Sequence, residues 1–376
     1  MKDNTFYSLA LSLAPGLGTT RIHEMIRKCG SPSEVFRRSR SELKRFNLSH
    51  EIQLFLSSGR ALRQAEETLQ ACGHRDIGVI SFLDQAYPQL LKEIFDPPVI
   101  LYCRGSMESI HNPGIAIVGA RRCSVYGKQV TRKLALELSV MGLNIVSGLA
   151  RGIDSQAHQG ALEGGGVTIG VLGSGVDVVY PRENRRLYEQ IQERGCVLSE
   201  FPCGSFPAPQ NFPIRNRVIS GLSYGTIISE ASEFSGSLIT ARLTLEHNRE
   251  LWAVPGNITT PGSYGPNYLI KQGAKIVLTA QDVMDELPIY VLDFLSRSRP
   301  SSPAPLPHGN GPLGSGPLSP PQEKVLKLLS SDASTHFDWL LGKSQISLSE
   351  LNAVLLELEL QGLVRQWPGR QFSKRL

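Results

Sequence analysis

The sequence predicts an α/β fold, a doubly wound parallel sheet, with a small helical domain before it and a winged-helix domain after it. Three observations carry this. Short β-branched runs at Gly114–Val118, Leu143–Val146, Val167–Leu172 and Gly225–Ser229 alternate with segments of helical period. Each run ends in a turn rich in glycine or serine: Gly119–Gly127, Ser147–Asp154, Gly173–Asp177 and Glu230–Ala241. A Pro/Gly/Ser-rich stretch from Arg297 to Pro321 then separates a last helical unit from the rest. In parallel sheets ligands gather at the carboxyl ends of strands, and helix N-termini there present unpaired N–H groups that favour phosphate.

Residues 1–72 read as a small all-helical unit. Leu13 to Gly18, followed by Thr19, Ile22 and Met25, has the form of a helix–hairpin–helix turn, in which two glycines let backbone N–H groups approach a DNA phosphate. An ordinary helical turn fits a single copy of this pattern equally well. Residues 73–290 form the core, entered through a strand at Gly78–Phe82 and closed by one at Lys275–Leu278. Residues 291–321 are the linker. Residues 322–376 form the winged-helix domain: Ser347 with Glu350 is a capping-box signature, and Leu348, Leu351, Val354, Leu355 and Leu358 share one helical face. Val364–Phe372 reads as a two-stranded wing. The helix from Ser347 to Gln361 carries Glu350, Glu357 and Glu359 and no Lys or Arg, so insertion into a DNA groove is opposed by like charge. Arg365, Arg370, Lys374 and Arg375 on the wing could touch a phosphate backbone, but a packing or protein-contact role is the favoured reading of this domain.

A chain of 376 residues accommodates two or three domains, and its +5 net charge is compatible with nucleic acid without demonstrating it. The six cysteines form no C-x-x-C pair and no dense framework, which argues against zinc and disulfides and for buried or incidental thiols. No run approaches the roughly 20 apolar residues of a membrane span, and no signal-peptide core is present, so a cytoplasmic location is expected.

The segment Asn211–Ser223 is the most informative. It places Arg215 and Arg217 beside Phe212 and Pro213. Arginine forks suit phosphate oxygens and an aromatic face suits an unpaired base, although a wedge in the core is an equal reading for Phe212. A dinucleotide dehydrogenase is excluded. Gly173-Ser174-Gly175 begins the fingerprint, but Val178 stands where its third glycine belongs and Tyr180-Pro181 where its helix should run. Asp154, His158, Glu200 and Glu230 offer acid–base groups, Asp154 and His158 lying on one helix face, with a helix cap and a packed histidine as the plainer readings.

These blocks together resemble the DprA/Smf family of DNA-processing proteins of natural transformation. The resemblance rests on Val118–Arg121 with Ser124, Tyr126 and Gly127, and on Ser147–Asp154 with His158 and Gly160–Leu162. It continues through Gly173, Gly175, Asp177, Tyr180, Pro181, Asn184, Ser199, Glu200, Pro202 and Gly204 to the run Phe212–Arg217. Ser235–Ala241, Val254–Gly256, Leu269-Ile270 and Gly273-Ala274 complete it. It covers about residues 80–285. It implies an extended Rossmann-like core that binds single-stranded DNA, forms a homodimer and helps load the RecA recombinase, with no cofactor, metal or catalytic residue. The implied DNA-binding residues are Gly119, Arg121, Arg122, Ser124, Arg151, Phe212, Arg215, Arg217, Ser235, Gly236 and Ser237. Gly119 would allow close approach, Ser124 would cap a helix and donate to phosphate, and Arg151 would alternatively pair with Asp154. Related cores belong to phosphoribohydrolases, which makes a nucleotide-processing enzyme the alternative. Those enzymes carry a Pro-Gly-Gly-x-Gly-Thr turn and a following Glu, whereas this chain has Phe234–Thr240 with Glu246 displaced, as if a phosphate cradle were kept and the catalytic acid lost.

Overall fold

Nine strands form one sheet: β1 (Gly78–Ser81), β2 (Ile100–Gly105), β3 (Gly114–Val118), β4 (Asn144–Ser147), β5 (Thr168–Val171), β6 (Cys196–Ser199), β7 (Gly225–Ile228), β8 (Glu250–Ala253) and β9 (Lys275–Ile276). Their spatial order is β1-β2-β6-β5-β4-β3-β7-β8-β9. The strands from β3 onward run parallel, while β2 pairs antiparallel with both β1 and β6, so the sheet is mixed at one edge. The computed structural model describes residues 2–298 and 318–374.

Alternate residues of one strand feed two cores, as period-two geometry requires of a sheet covered on both faces. Ile115 and Ile117 of β3 pack with Leu134, Leu138, Ala157 and Trp252, against the helices Val125–Val140 and Ile153–Glu163. Ala116 and Val118 pack on the other face with Val218 and Ile219 of the helix Asn211–Gly221. Strands β4, β5 and β6 follow β3 to one side, and the chain then crosses to place β7, β8 and β9 on the other. The β3–β7 boundary is therefore the topological switch point, where two carboxyl-end loops part and leave a crevice.

The expected boundary at residue 72 does not divide two cores. The helix Arg60–His74 runs through it, and Leu9, Ile22, Met25 and Ala65 bury with Ile77, Val99, Ile100 and Tyr102 in one cluster. The turn Leu13–Gly18 does join two helices, Lys2–Ser12 and Thr19–Cys29. The linker is also shorter than its composition suggests. The helix Ile289–Ser298 buries Val291 and Leu295 against the core, and the helix Pro320–Leu328 starts before 321. The remaining residues assigned to the linker, 299–317, lie outside the described residues, as does Arg375.

The terminal domain has the helices Pro320–Leu328, Phe337–Ser344 and Leu348–Leu360 and a sheet of β10 (Thr335–His336), β11 (Val364–Trp367) and β12 (Gln371–Lys374), in the order β10-β12-β11. The wing thus gains a third strand. Ser347 caps the last helix through the Glu350 amide, and Leu351, Val354, Leu355 and Leu358 are buried, but Leu348 is exposed rather than part of that face. Glu357 accepts from Gln322 at 2.8 Å and Glu359 from the Gln366 amide at 3.3 Å, so two of the three acids serve the domain itself. The wing lies against the core: Gln129 Nε2 donates to Ser373 Oγ at 3.1 Å, and Lys128 Nζ sits 5.4 Å from the Trp367 ring centroid.

Candidate nucleic-acid interface

The switch-point crevice has a volume of about 350 Å³ and is walled by the turns after β3 and β7 and by the first turns of the helix Asn211–Gly221. That lies within the range of ligand-sized pockets. From the β3 turn come Gly119, Arg121 and Arg122; from the β7 turn come Ser235, Gly236 and Ser237; from the helix come Phe212 and Arg215. Eight of the eleven expected site residues therefore meet here. Arg121 and Arg122 are exposed, as a phosphate-binding guanidinium must be. The β7 turn leads into the ten-residue helix Ser237–Glu246, whose first amides are held within the turn, Ser237 N by Ser235 Oγ, Leu238 N by the Ser235 carbonyl and Ile239 N by the Gly236 carbonyl, with the Ser235 and Ser237 hydroxyls 2.8 Å apart beside the crevice. A Cβ at Gly236 would meet nothing within 4 Å, which leaves this turn open to a ligand.

Phe212 is half-buried at the hinge between this crevice and a notch of about 50 Å³ beside Tyr180, Gly173 and Arg151. The Arg121 guanidinium lies 5.1 Å from its ring centroid and the Tyr180 ring 5.8 Å away at 37°. A Cβ at Gly173 would lie 3.0 Å from the Phe212 ring, so a larger residue there presses on that side chain. The aromatic thus already carries a cation on one side, an arrangement that couples charge and stacking in one unit. Tyr180 was legible only as part of a family block, not as a wall of this notch.

Other expected residues have different work. Arg215 and Arg217 sit two apart on a helix, about 200° around its axis, so they diverge. Arg215 is buried beneath the crevice floor, where its Nη1 donates to the Gly148 carbonyl at 2.6 Å and to the Val171 carbonyl. Burial pulls its pKa down to about 10, with the charge of Asp154 opposing that fall and Arg121 adding to it. Arg217 is on the opposite side, buried and ion-paired with Glu200 and with Asp96, and its guanidinium is closed to DNA. Burial raises the Glu200 carboxyl to about 7 despite Arg217. Ser124 caps the helix Val125–Val140 through the Gly127 amide at 3.0 Å, but its hydroxyl donates to Glu230 at 2.6 Å and its own amide to the same carboxylate at 2.8 Å. Its expected phosphate is replaced by a protein carboxylate. Gly119 is set by packing, since a Cβ would meet the Glu230 carbonyl and Ile153 at 2.7 Å. Arg151 lines the notch and pairs with Glu183, not with Asp154; both partners are exposed, so the pair is weak.

None of the acid–base candidates presents an available group to the crevice. Asp154 is buried at the start of the helix Ile153–Glu163, its carboxyl raised by burial and stabilised by Arg215 and by the amides of Ala150, Gly119 and Gly148. His158 is wholly buried: Thr168 Oγ1 donates to the Ile145 carbonyl, so it must accept from the His158 Nδ1–H, 2.6 Å away. Glu230 is consumed by Ser124. Among the described residues no group of three His, Cys, Asp or Glu side chains is placed to hold a metal ion, and no helix is long and apolar enough to cross a membrane.

The profile of the family described as DNA recombination-mediator protein A matches residues 78–288, and that of the DprA winged helix domain matches residues 310–370. The chain belongs to the DprA family. It is 39% identical over 290 residues to protein Smf of Escherichia coli, covering 75% of this chain and 74% of that one. It is 41% identical over 251 residues to DNA processing protein DprA of Bacillus subtilis, covering 66% and 82%. Among solved structures, DprA of Streptococcus pneumoniae superposes with a TM-score of 0.67 at 36% identity, over 76% of this chain and 98% of that one. DNA processing protein A of Helicobacter pylori, solved to describe its single-stranded DNA binding mode, superposes with a TM-score of 0.51 at 31% identity, over 59% and 96%. The DprA-type core and winged helix expected from the residues are thus both present, and the chain is a DNA-processing recombination mediator by family.

Proposed function

We propose that this protein binds single-stranded DNA in the switch-point crevice, protects it during natural transformation and helps load RecA, acting as a cytoplasmic homodimer without catalytic turnover. The observation that carries the DNA reading is the Arg121 guanidinium stacked on Phe212 at the mouth of a crevice whose far wall is the open, hydroxyl-bearing Ser235–Ser237 turn. A phosphate fits between Arg121, Arg122 and the Ser235–Ser237 turn, and a base fits the aromatic hinge. The single-strand binding described for the Helicobacter pylori relative supports the same mode. RecA as partner and the dimer rest on the family resemblance. The absence of turnover is supported by the buried or engaged state of Asp154, His158 and Glu230.

The reading predicts preference for single strands with little sequence dependence, because backbone amides and arginine forks meet phosphate and one ring accepts any base. Gel-shift titrations on matched single- and double-stranded oligonucleotides test it, and equal affinity for both overturns it. Incubation with nucleoside monophosphates is expected to release no free base above a protein-free control. Release abolished by Glu200→Ala or Glu230→Ala establishes the phosphoribohydrolase alternative instead.

Within the crevice, Arg121→Ala should weaken binding to all sequences and flatten the log–log salt dependence by about one unit at most. Phe212→Ala should cost roughly 1–3 kcal/mol with little change in salt slope, since stacking releases few counterions. Because the two side chains touch, the double variant should lose less than the sum of the single losses. Strict additivity in binding measured at several salt concentrations contradicts a shared subsite.

A further inference from the structure

Two cysteines separated by 131 positions are brought together by the fold. Cys72 Sγ, on the helix Arg60–His74, lies 3.9 Å from Cys203 Sγ. We propose that these thiols are a redox-closable pair, whose disulfide fastens the N-terminal helices to the loop that leads into the DNA crevice. A disulfide is about 2.05 Å long, so the sulfurs must approach by about 1.9 Å. Cys203 is on the side that can move: residues 200–210 contain no helix or strand, and Gly204 next to it has φ +79°. Cys72 is fixed and buried, whereas Cys203 is only half-buried and can be reached from solvent.

The surroundings hold the two segments in place for this closure. Asp177 accepts from the Gly204 amide at 2.8 Å on one side and from Arg75, at the end of the Cys72 helix, at 2.8 Å on the other. Either thiol can donate across the 3.9 Å between the sulfurs, and with Cys72 as the donor the thiolate forms at Cys203. This hydrogen bond favours the thiolate at Cys203, lowering its pKa below the ordinary thiol value against the effect of burial, while Cys72 is held protonated. Cys203, the more exposed of the two, is the sulfur an oxidant reaches first and therefore the attacking one. A second pair, Cys103 and Cys196, also meets, but both are buried in β2 and β6, where ladder hydrogen bonds fix the backbones.

The oxidant is a hydroperoxide, here hydrogen peroxide. The Cys203 thiolate attacks one peroxide oxygen; the O–O bond breaks and the leaving hydroxide takes up the proton that Cys203 released, giving water and a sulfenic acid. Cys72 sulfur then attacks the sulfenic sulfur; the S–S bond forms, the S–O bond breaks, and the departing oxygen leaves as a second water with the Cys72 proton. The two sulfurs lose two electrons and the peroxide gains them. In a thiol-rich compartment such a bond is transient and sensing in character, not structural.

The test is mild hydrogen peroxide treatment of the full chain, followed by thiol titration in denaturant. The six free thiols should fall to four and return to six with dithiothreitol, with a higher melting temperature while oxidised. Tryptic mapping should join the peptide 64–75 to the peptide 195–215. The latter also carries Cys196, so fragmentation must place the bond at Cys203. Cys203→Ser and Cys72→Ser should each keep six minus one thiols after treatment, and Cys29→Ser should still lose two. Six thiols persisting in the parent, a bond at Cys196, or links only between chains each overturn the proposal. The result is independent of whether the crevice binds DNA.

Discussion

Arg215→Met should lower the unfolding free energy by about 3–5 kcal/mol, more than any crevice substitution should cost in binding. The guanidinium is buried under the crevice floor, and it holds the Gly148 carbonyl just after β4 and the Val171 carbonyl at the end of β5 while offsetting the charge of Asp154. Removing it leaves a buried carboxyl uncompensated and two carbonyls short of a donor. Adding Asp154→Asn should restore part of the loss, because the surviving charge is then gone as well. Urea denaturation of the parent, single and double variants measures this. A single variant as stable as the parent but more than tenfold weaker for single-stranded DNA would return Arg215 to the phosphate-binding role its sequence suggests.

Acid should destabilise the protein through His158 before most carboxylates titrate. Burial lowers its pKa from 6.5 to about 3, with the Arg215 charge adding to the effect. The folded state therefore binds fewer protons than the unfolded chain between these values. The stabilisation is complete above about pH 6.5 and is lost as pH falls toward 3, at about 1.4 kcal/mol per unit. Between pH 6.5 and 5 the parent should lose about 2 kcal/mol from this source, on the same slope. His158→Asn, which keeps a donor for Thr168, should show a flatter profile whatever its stability at neutral pH. Parallel slopes for parent and variant count against the buried neutral imidazole.

The sequence disclosed the strands that are β-branched and end in glycine turns, because alternation and turn chemistry are local signals. Strands β2, β6 and β8 were not anticipated. Cys196–Ser199 and Glu250–Ala253 are four residues long, and their strand state comes from pairing with partners far along the chain. The crevice was legible in Arg121, Phe212 and the Ser235–Ser237 turn, each standing at the end of a readable strand or the start of a helix. The cap at Ser124 was legible, but the carboxylate partners of Ser124 and Arg217 were not, for one reason: a polar side chain near a binding turn looks the same in sequence whether its partner is a ligand or a distant carboxylate. Glu200 lies 17 positions from Arg217 and Glu230 lies 106 from Ser124, and neither pairing leaves a periodic trace. The Cys72–Cys203 approach was invisible on the same ground.

The single core shared by the N-terminal helices and the β1–β2 edge sets how the molecule comes apart. Residues 9–72 and the segment that carries Val99 and, in β2, Ile100 and Tyr102 have no separate interiors, so they melt as one cooperative unit, and a chain begun at residue 73 would carry a bare apolar face into water. The terminal domain differs, because Val325, Phe337, Leu351 and Phe372 close a core of their own. Calorimetry should record two endotherms: a large one for the helices together with the sheet, and a small one for residues 318–374.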